Sequence, residues 1–290
     1  MKKSALVVIA IVAIALFNYS ATTPADSPAR VVVNKMLNAI SASKGWKFTM
    51  KSEERITSMK TGLRGGDILT KVNIAPKKIY MNMLTDPNKG TEILYVEGER
   101  DNKVLVNPGK FLPTLSLNPF NSLLSKDQHH TALSAGFGLI TKIVGDGVKR
   151  ADEQNKFDVV FKLGADVNFQ GRNCYSLTIE DPSWTYTTYT AKKGENMYSV
   201  SQKLLIPEYS LIELDGVKNF EEDLGGKTLK VPTSYAKKTL FYIDKENNFP
   251  IYQEMSDDKG IFERYTFSGL VVNPAFKADE FTKGFSEYKF

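Results

Sequence analysis

Alternation of apolar and polar residues recurs along much of the chain and limits the folds that it can adopt. Trp46, Phe48 and Met50 alternate with polar residues, and Met81 and Met83 flank Asn82 in the same way. A period of two places successive side chains on opposite faces of a strand, so each run predicts a strand with one buried face. The sequence therefore favours a large antiparallel sheet over a helical bundle.

Further runs of the same kind extend this sheet. Strands are predicted at 69–74, 79–83, 92–96, 103–106, 157–163, 174–179, 239–243, 250–255 and 261–270. Turn signals separate the early strands at Gly65-Gly66, Ala75-Pro76, Asp86-Pro87, Gly98 and Asn107-Pro108-Gly109. Short strands joined by such turns are typical of antiparallel meanders that bury one face.

Two segments show a helical period instead. Val33, Met36, Leu37 and Ile40 follow i, i+3, i+4, i+7 spacing and predict a helix at 31–40. Residues 118–144 break the rhythm of the strands and predict one or two helices. The pattern as a whole predicts the α+β class.

A small module is predicted at 187–234, inside the sequence of the sheet. A short strand at 189–191 precedes a glycine turn, two helical patterns separated by Pro207, and a closing strand at 229–232. Strands are predicted on both sides of the module, so we expect it to be inserted in a hairpin of a larger domain, 26–186 and 235–290.

The module resembles a LysM domain. The family opens on Tyr-x-Val-Lys-x-Gly-Asp-Thr-Leu and closes on Gly-x-x-Leu-x-Ile-Pro, patterns that 189–197 and 226–232 follow, although Glu195-Asn196 replaces Asp-Thr and Asp215 replaces the Asn that usually ends the second helix. The resemblance implies binding of the N-acetylglucosamine-containing backbone of peptidoglycan or chitin. The implied contacts are Gly194, Glu195, Asn196, Met197, Asp215, Gly216 and Val217. An insert that packs on its host and binds no glycan is the alternative.

The larger domain resembles the LolA/LolB-like periplasmic lipoprotein carriers. The likeness rests on Phe241-Tyr242-Ile243-Asp244, on Phe249-Pro250-Ile251-Tyr252 and on Asn273-Pro274 before Phe281. Residues 54–56, 76–80 and 90–95 also resemble an uncharacterised bacterial envelope family related to those carriers. The resemblance implies a half-barrel, in which a curved sheet covered by helices encloses an apolar cavity for acyl chains.

Candidate lining residues of that cavity come from alternating positions and from a lid helix. They are Trp46, Phe48, Ile79, Met81, Met83, Leu94 and Phe137. The alternative is that these side chains fill a solid core, as most buried aromatic residues do. Arg55 is a candidate lid contact by the same resemblance, and its alternative is a surface ion pair with Glu53 or Glu54.

The first 25 residues predict an export signal. Lys2 and Lys3 precede a short apolar run at 5–17, which suits the core of a signal peptide better than a membrane span. Cleavage is expected after Ala21 or Ala25, with a retained anchor as the alternative, and the absence of a nearby cysteine excludes a lipoprotein signal. The expected location is the periplasm or another exported compartment, close to a membrane without spanning it.

Composition and motifs argue against nucleic-acid binding and catalysis. Removal of Lys2 and Lys3 leaves 36 basic against 33 acidic residues, too small an excess for nucleic acid. Cys174 is the only cysteine, so no internal disulfide forms. No familiar catalytic motif is present. The adjacent His129 and His130 are poorly placed to share one metal ion. Carboxylate pairs such as Glu53-Glu54 are expected to lie on solvated faces and not in a catalytic site.

The sequence therefore predicts a non-enzymatic envelope protein without metal or cofactor. Its half-barrel is expected to hold a lipid or a lipoprotein acyl chain, and its module to dock on peptidoglycan. The first alternative is a non-catalytic scaffold or assembly factor with a filled core and no lipid ligand. An enzyme acting on cell-wall glycan is a weaker alternative.

Overall fold

A large curved antiparallel sheet dominates the protein, which has the α+β class. The computed structural model describes residues 26–60, 62–109 and 112–290, so the predicted signal peptide at 1–25 lies outside the described residues. The helices are α1 (Pro28–Ser41), α2 (Ser122–Ser125), α3 (Gly138–Glu153), α4 (Phe157–Val160), α5 (Met197–Leu204) and α6 (Glu208–Asp215). Short 3-10 turns lie at Arg100–Asn102 and Ala132–Ser134.

The strands follow one another along the chain with short connections. They are β1 (Gly45–Glu54), β2 (Arg64–Asn73), β3 (Lys78–Met83), β4 (Glu92–Val96), β5 (Val104–Asn107), β6 (Leu115–Leu117), β7 (Phe161–Leu163), β8 (Val167–Phe169), β9 (Arg172–Glu180), β10 (Tyr186–Thr190), β11 (Thr228–Pro232), β12 (Lys238–Asp244), β13 (Pro250–Asp257) and β14 (Gly260–Val272).

The main sheet has twelve strands. Its order is β6-β5-β4-β3-β2-β1-β14-β13-β12-β9-β7, and β8 pairs with β9. The two longest neighbours, β1 and β14, lie near the middle and pair from Trp46 opposite Val272 to Glu54 opposite Glu263. The sheet is therefore joined at its centre by residues that are more than 200 positions apart in sequence.

One face of the sheet, called here the inner face, packs against α1 and α3. Val33 and Met36 of α1 and Val144 of α3 are buried there, together with Phe48 of β1. Ser27 begins α1, because its hydroxyl accepts a hydrogen bond from the amide of Arg30, and Pro28 suits the first helical turn.

The outer face of β3 and β4 is covered by the last residues of the chain. Tyr80 stacks on Tyr288 with 3.7 Å between ring centroids, and Leu94 packs in the same cluster as Phe285. Lys71 is buried on this face with its ammonium 2.8 Å from the carboxylate of Glu280. Both faces of this part of the sheet are thus removed from water.

The predicted strand at 157–163 is wrong in its first half, since Phe157–Val160 forms one helical turn. The rings of Phe157 and Phe161 stack at 4.5 Å. Residues four apart are neighbours on a helix but are far apart along a strand, so this contact requires the turn. Val159, which alternation would bury, is 53% exposed.

The module has the order strand, helix, helix, strand, built from β10, α5, α6 and β11. Its two strands pair antiparallel, with Tyr189 opposite Leu229. It has a separate apolar cluster that includes Met197, Leu211 and Phe220. The module lies between β9 and β12, which are hydrogen-bonded neighbours in the main sheet. It is therefore an excursion from a hairpin of the larger domain.

Helices that could cross a membrane were sought only in the described residues, and none there combines sufficient length with sufficient apolar character.

Candidate ligand-binding cavity

A cavity of about 640 Å³ lies on the inner face of the sheet. Strands β1 to β6, β13 and β14 form its floor, and residues from α2 to α3 cover it. Most of its lining is apolar and includes Met50, Ile68, Met83, Ile93, Leu124 and Leu139. Protein interiors are close-packed, whereas sites for small molecules have volumes of about 300–1,000 Å³. The volume and lining are therefore those of a ligand site.

Three of the predicted lining residues, Phe48, Met81 and Met83, border this cavity. The ring of Phe137 lies behind it and makes edge contacts with Phe48 at 5.6 Å and with Trp46 at 5.5 Å. Ile79 is fully buried in the same core. Trp46, Ile79 and Phe137 thus form the packed wall behind the cavity and do not line it.

Leu94 lies on the outer face of the sheet, away from the cavity, which corrects its predicted position. The register of β3 and β4 pairs Tyr80 with Leu94 and Met81 with Ile93. Paired residues project to the same face, so Ile93 lines the cavity instead. Every residue of β4 is buried, and a strand covered on both faces carries no alternation from which its inner face could be predicted.

One end of the cavity is polar and begins with two facing carboxylates. Glu54 at the end of β1 lies directly opposite Glu263 of β14. Glu54 is 8% exposed and Glu263 is fully buried. Like charges directly opposite each other in a sheet are destabilising, so this pair requires compensation.

His129 supplies part of that compensation. Its Nδ1 lies 2.8 Å from Glu263 Oε1 and its Nε2 lies 2.6 Å from the carbonyl oxygen of Arg55. A carboxylate and a carbonyl can only accept, so both ring nitrogens donate and the imidazole is charged. Burial lowers the pKa of His129, but the hydrogen bond to Glu263 and the charges of Glu54 and Glu263 raise it overall.

His130 lies between two further carboxylates. Its Nδ1 is 2.8 Å from Glu208 Oε2 of α6, and its Nε2 is 3.4 Å from Glu263 Oε1. Burial opposes the charge of His130, but Glu208 and Glu263 raise its pKa well above the ordinary value. Burial alone would raise the pKa of Glu263, and the charge of His130 with the hydrogen bonds from both histidines lowers it to about 2.

Tyrosine hydroxyls complete the network. Tyr235 donates to Glu263 at 2.8 Å and Tyr265 donates to Glu54 at 2.8 Å. The second oxygen of Glu54 accepts the backbone N–H of His129 at 3.1 Å. We call His129, His130, Glu54, Glu208 and Glu263 the histidine–glutamate cluster. Its three carboxylates and two imidazolium ions sum to one negative charge.

The cluster is the polar end of the cavity. Glu54, His130, Tyr235 and Tyr265 all border the cavity, together with Gln253. The cluster also reaches the module, because Glu208 begins α6. Among the described residues, no group of three or more His, Cys, Asp or Glu side chains is arranged to hold a metal ion.

Arg55 contacts the module and not a lid over the cavity. Its guanidinium makes two parallel hydrogen bonds of 2.9 Å to Glu213 of α6 and also binds Asp257 at the end of β13. Burial lowers the pKa of Arg55, but the hydrogen bonds that it donates to these two carboxylates raise it overall. Nearby, the ring of Tyr209 stacks on His129 at 4.3 Å and its hydroxyl accepts the N–H of Thr57. These contacts fix α6 to the end of the main sheet.

The predicted glycan-binding residues lie in two loops of the module. Gly194 and Gly216 are exposed and have φ of 80° and 66°, whereas the side chains of Met197 and Val217 are buried in the module core. The other three side chains accept internal hydrogen bonds. Glu195 accepts from Tyr189, the amide of Lys192 and Lys203, Asn196 accepts from the amide of Ser199, and Asp215 accepts from the amide of Lys230. In these two loops, therefore, only the backbone and the exposed loop surface are free to contact a ligand.

Sequence reasoning missed the histidine–glutamate cluster. Its two sheet residues did carry a signal, because Glu54 continues the inner-face alternation of Met50 and Ser52, and Glu263 continues that of Tyr265. A carboxylate at an inward position of a strand is a candidate functional group. The two histidines lie outside regular structure, and no pattern in the sequence predicted their burial.

Comparisons with known proteins give one family and several distant structures. The family model described as "Protein of unknown function (DUF1571)" matches residues 43–211. Among solved structures, MucB is 12% identical with a TM-score of 0.44, covering 90% of this chain, and this chain spans only 64% of MucB. A search of curated proteins found no match.

Two further structures are similarly distant. The lipoprotein LppX from Mycobacterium tuberculosis is 11% identical with a TM-score of 0.40, covering 86% of this chain and 97% of LppX. The LolA superfamily protein NE2245 from Nitrosomonas europaea is 9% identical with a TM-score of 0.31, covering 89% of this chain and 99% of NE2245.

The contact of Arg55 with α6 predicts a local effect of its removal. Arg55→Met leaves Glu213 and Asp257 without their shared cation, so we expect the free energy of unfolding to fall by about 1–3 kcal/mol. Amide hydrogen exchange in α6 should accelerate. Arg264→Met is the control, since Arg264 pairs with Glu254 on the sheet surface and does not contact the module. Equal protection of α6 in both variants would contradict this account.

The raised pKa values of the histidines predict a pH dependence. Their folded-state pKa exceeds the unfolded value of about 6.5, so their contribution to stability is complete below about pH 6.5 and is lost as pH rises through the folded-state pKa. Glu263, whose pKa is lowered to about 2, contributes stability that is complete above its unfolded pKa of about 4.3 and is lost as pH falls towards 2.

The measurement is denaturant unfolding of the wild-type protein and the His130→Gln variant between pH 5.5 and 9. The difference in unfolding free energy should be largest near pH 6 and should shrink as pH rises. His129 and His130 are the only histidines in the chain, so no other histidine contributes. A difference that stays constant or grows with pH would show that His130 is not charged in the folded protein.

Proposed function

The chain belongs to the DUF1571 family, and we propose that it is a bacterial cell-envelope protein of LolA-like half-barrel type that binds a lipid or a lipoprotein acyl chain. The cavity of about 640 Å³ with its mostly apolar lining carries this proposal. Burial of an acyl chain contributes about 0.8 kcal/mol per CH₂ group, so part of one chain suffices for useful affinity.

Exposed apolar side chains beside the cavity support the same function. Leu112 and Leu123 border the cavity and are 59% and 75% exposed. Large apolar side chains at the edge of an apolar cavity mark an interaction site more than isolated surface residues do. We assign this edge as the entrance for the acyl chain.

The alternative of a scaffold with a filled core is less well supported, because the side chains around the cavity do not fill it.

We also propose a non-catalytic role. All four ring nitrogens of His129 and His130 face carboxylate, carbonyl or hydroxyl oxygens, so neither histidine offers a free base to a ligand. Export to the periplasm, through the signal at 1–25, belongs to this proposal.

We further propose that the module docks the protein on peptidoglycan. The observation that favours docking is the exposure of its two candidate loops, since Lys192 to Gly194 and Gly216 face solvent while α6 faces the main sheet. The glycan would contact the backbone between Gly194 and Met197 and between Asp215 and Val217. The proposal rests on the resemblance to LysM domains and on this exposure.

A charge placed in the cavity tests the lipid-binding function. Ile68 lines the cavity from β2, and its neighbour Leu69 projects to the opposite face. We expect Ile68→Lys to weaken binding of the apolar fluorophore N-phenyl-1-naphthylamine at least tenfold, because an ammonium ion in an apolar cavity repels an apolar ligand. Leu69→Lys is the matched control and should bind as the wild type does. Equal binding by all three proteins would place the ligand elsewhere.

Sedimentation with purified peptidoglycan tests the docking function. The full chain should sediment with the glycan and be released by soluble N-acetylglucosamine oligomers. Lys218→Trp places a bulky side chain beside Val217 and should reduce the bound fraction several-fold by blocking the proposed glycan contact at this loop. Lys35→Trp, on the exposed side of α1, is the control. Absence of sedimentation, or equal sedimentation of both variants, would reject the glycan site.

A further inference from the structure

We propose that the cavity selects an amphiphile whose polar end is uncharged and forms hydrogen bonds, such as the glycerol ester of an acylglycerol, over one with an anionic head group. This inference rests on the proposed lipid-binding function. It concerns the chemical class of the ligand, and three observations support it: the polarity gradient along the cavity, the charge of its polar end and a buried hydroxyl there without a partner.

The inner face changes from apolar to polar along β1. Phe48 and Met50 line the cavity first, then Ser52, and finally Glu54. The paired strand β14 shows the same order, since Phe267 lies opposite Met50 and Tyr265 lies opposite Ser52. A bound amphiphile is thereby oriented, with its chain beside the phenylalanines and its polar end beside Glu54.

The polar end carries one negative charge. Glu54 borders the cavity, and its two oxygens accept hydrogen bonds from Tyr265 and from the backbone of His129. Both histidines already face carboxylates of the histidine–glutamate cluster. Charges interact strongly where protein excludes water, so a ligand carboxylate, sulfonate or phosphate beside Glu54 is repelled. Lys126 also borders the cavity, but its side chain is exposed at the edge, where water screens it.

A buried hydroxyl beside the histidine–glutamate cluster has no partner. Thr131, which follows His130 in the chain, borders the cavity and is 5% exposed, and within the described part of the chain its Oγ1 has no hydrogen-bond partner. Buried polar atoms are rarely left unpaired, and each exception requires an explanation. A hydroxyl can both donate and accept, so an ester carbonyl or an alcohol of the ligand satisfies it without any charge.

The experiment compares two probes that each carry a sixteen-carbon chain. One is 1-monopalmitoylglycerol, which is neutral, and the other is hexadecylsulfonate, which is anionic at every pH used. Each displaces N-phenyl-1-naphthylamine from the wild-type protein. We expect the neutral probe to bind at least about tenfold more tightly. Equal affinity, or preference for the sulfonate, would overturn the inference.

Two variants assign the preference to named groups. Glu54→Gln removes the charge and should raise the affinity for the sulfonate about five- to tenfold, with little change for the glyceride. Glu53→Gln is the matched control, because Glu53 is the next residue on the strand, projects to the outer face and pairs there with Arg264. An unchanged preference in Glu54→Gln would contradict the role of this carboxylate.

Thr131→Val provides a test that does not depend on the cluster. The substitution preserves shape and removes an unpaired hydroxyl, so the unfolding midpoint should stay the same or rise. Affinity for the glyceride should fall several-fold, and affinity for the apolar fluorophore should not. Unchanged glyceride affinity would remove the hydroxyl from the site. If neither the fluorophore nor any acyl probe binds the wild-type protein, the proposed lipid binding itself fails, and that outcome is distinct from a loss of selectivity alone.

Discussion

The ionised carboxylate of Glu263 inside the protein is the constraint on which much of this structure depends. It faces Glu54 across the centre of the sheet, and a buried pair of like charges is unfavourable without compensation. His129 and His130 provide the positive charge, and Glu208 of α6 balances the second imidazolium. One cluster therefore joins the main sheet, the loop between α2 and α3, and the module.

The position of this cluster gives the cavity a direction. The sheet leaves an apolar space between its inner face and its covering helices, and the cluster closes one end of that space with polar groups. A ligand that reaches this end contacts His130. Nδ1 of the same imidazole lies 2.8 Å from Glu208 of the module. The cavity and the module are thus connected through one side chain, although they come from separate parts of the sequence.

Much of the fold was predictable from the sequence, and the failures have physical causes. Alternation predicted most strands, and the glycine and proline signals predicted the order of elements within the module. Leu94 was misplaced because β4 is buried on both faces. The segment 157–160 was misread because phenylalanines four positions apart fit a period of two as well as one helical turn. Arg55 was expected near a lid, but its partners Glu213 and Asp257 are distant in sequence, so only the folded chain shows that it holds the module.

The most direct test of lipid binding is native mass spectrometry with lipid extraction on the protein purified from the cells that produce it. We expect a co-purifying acyl species, bound at about one molecule per chain, whose polar end is uncharged. A protein that is isolated empty and that shows no affinity for acyl chains would contradict lipid binding, and would favour a scaffold role for this domain.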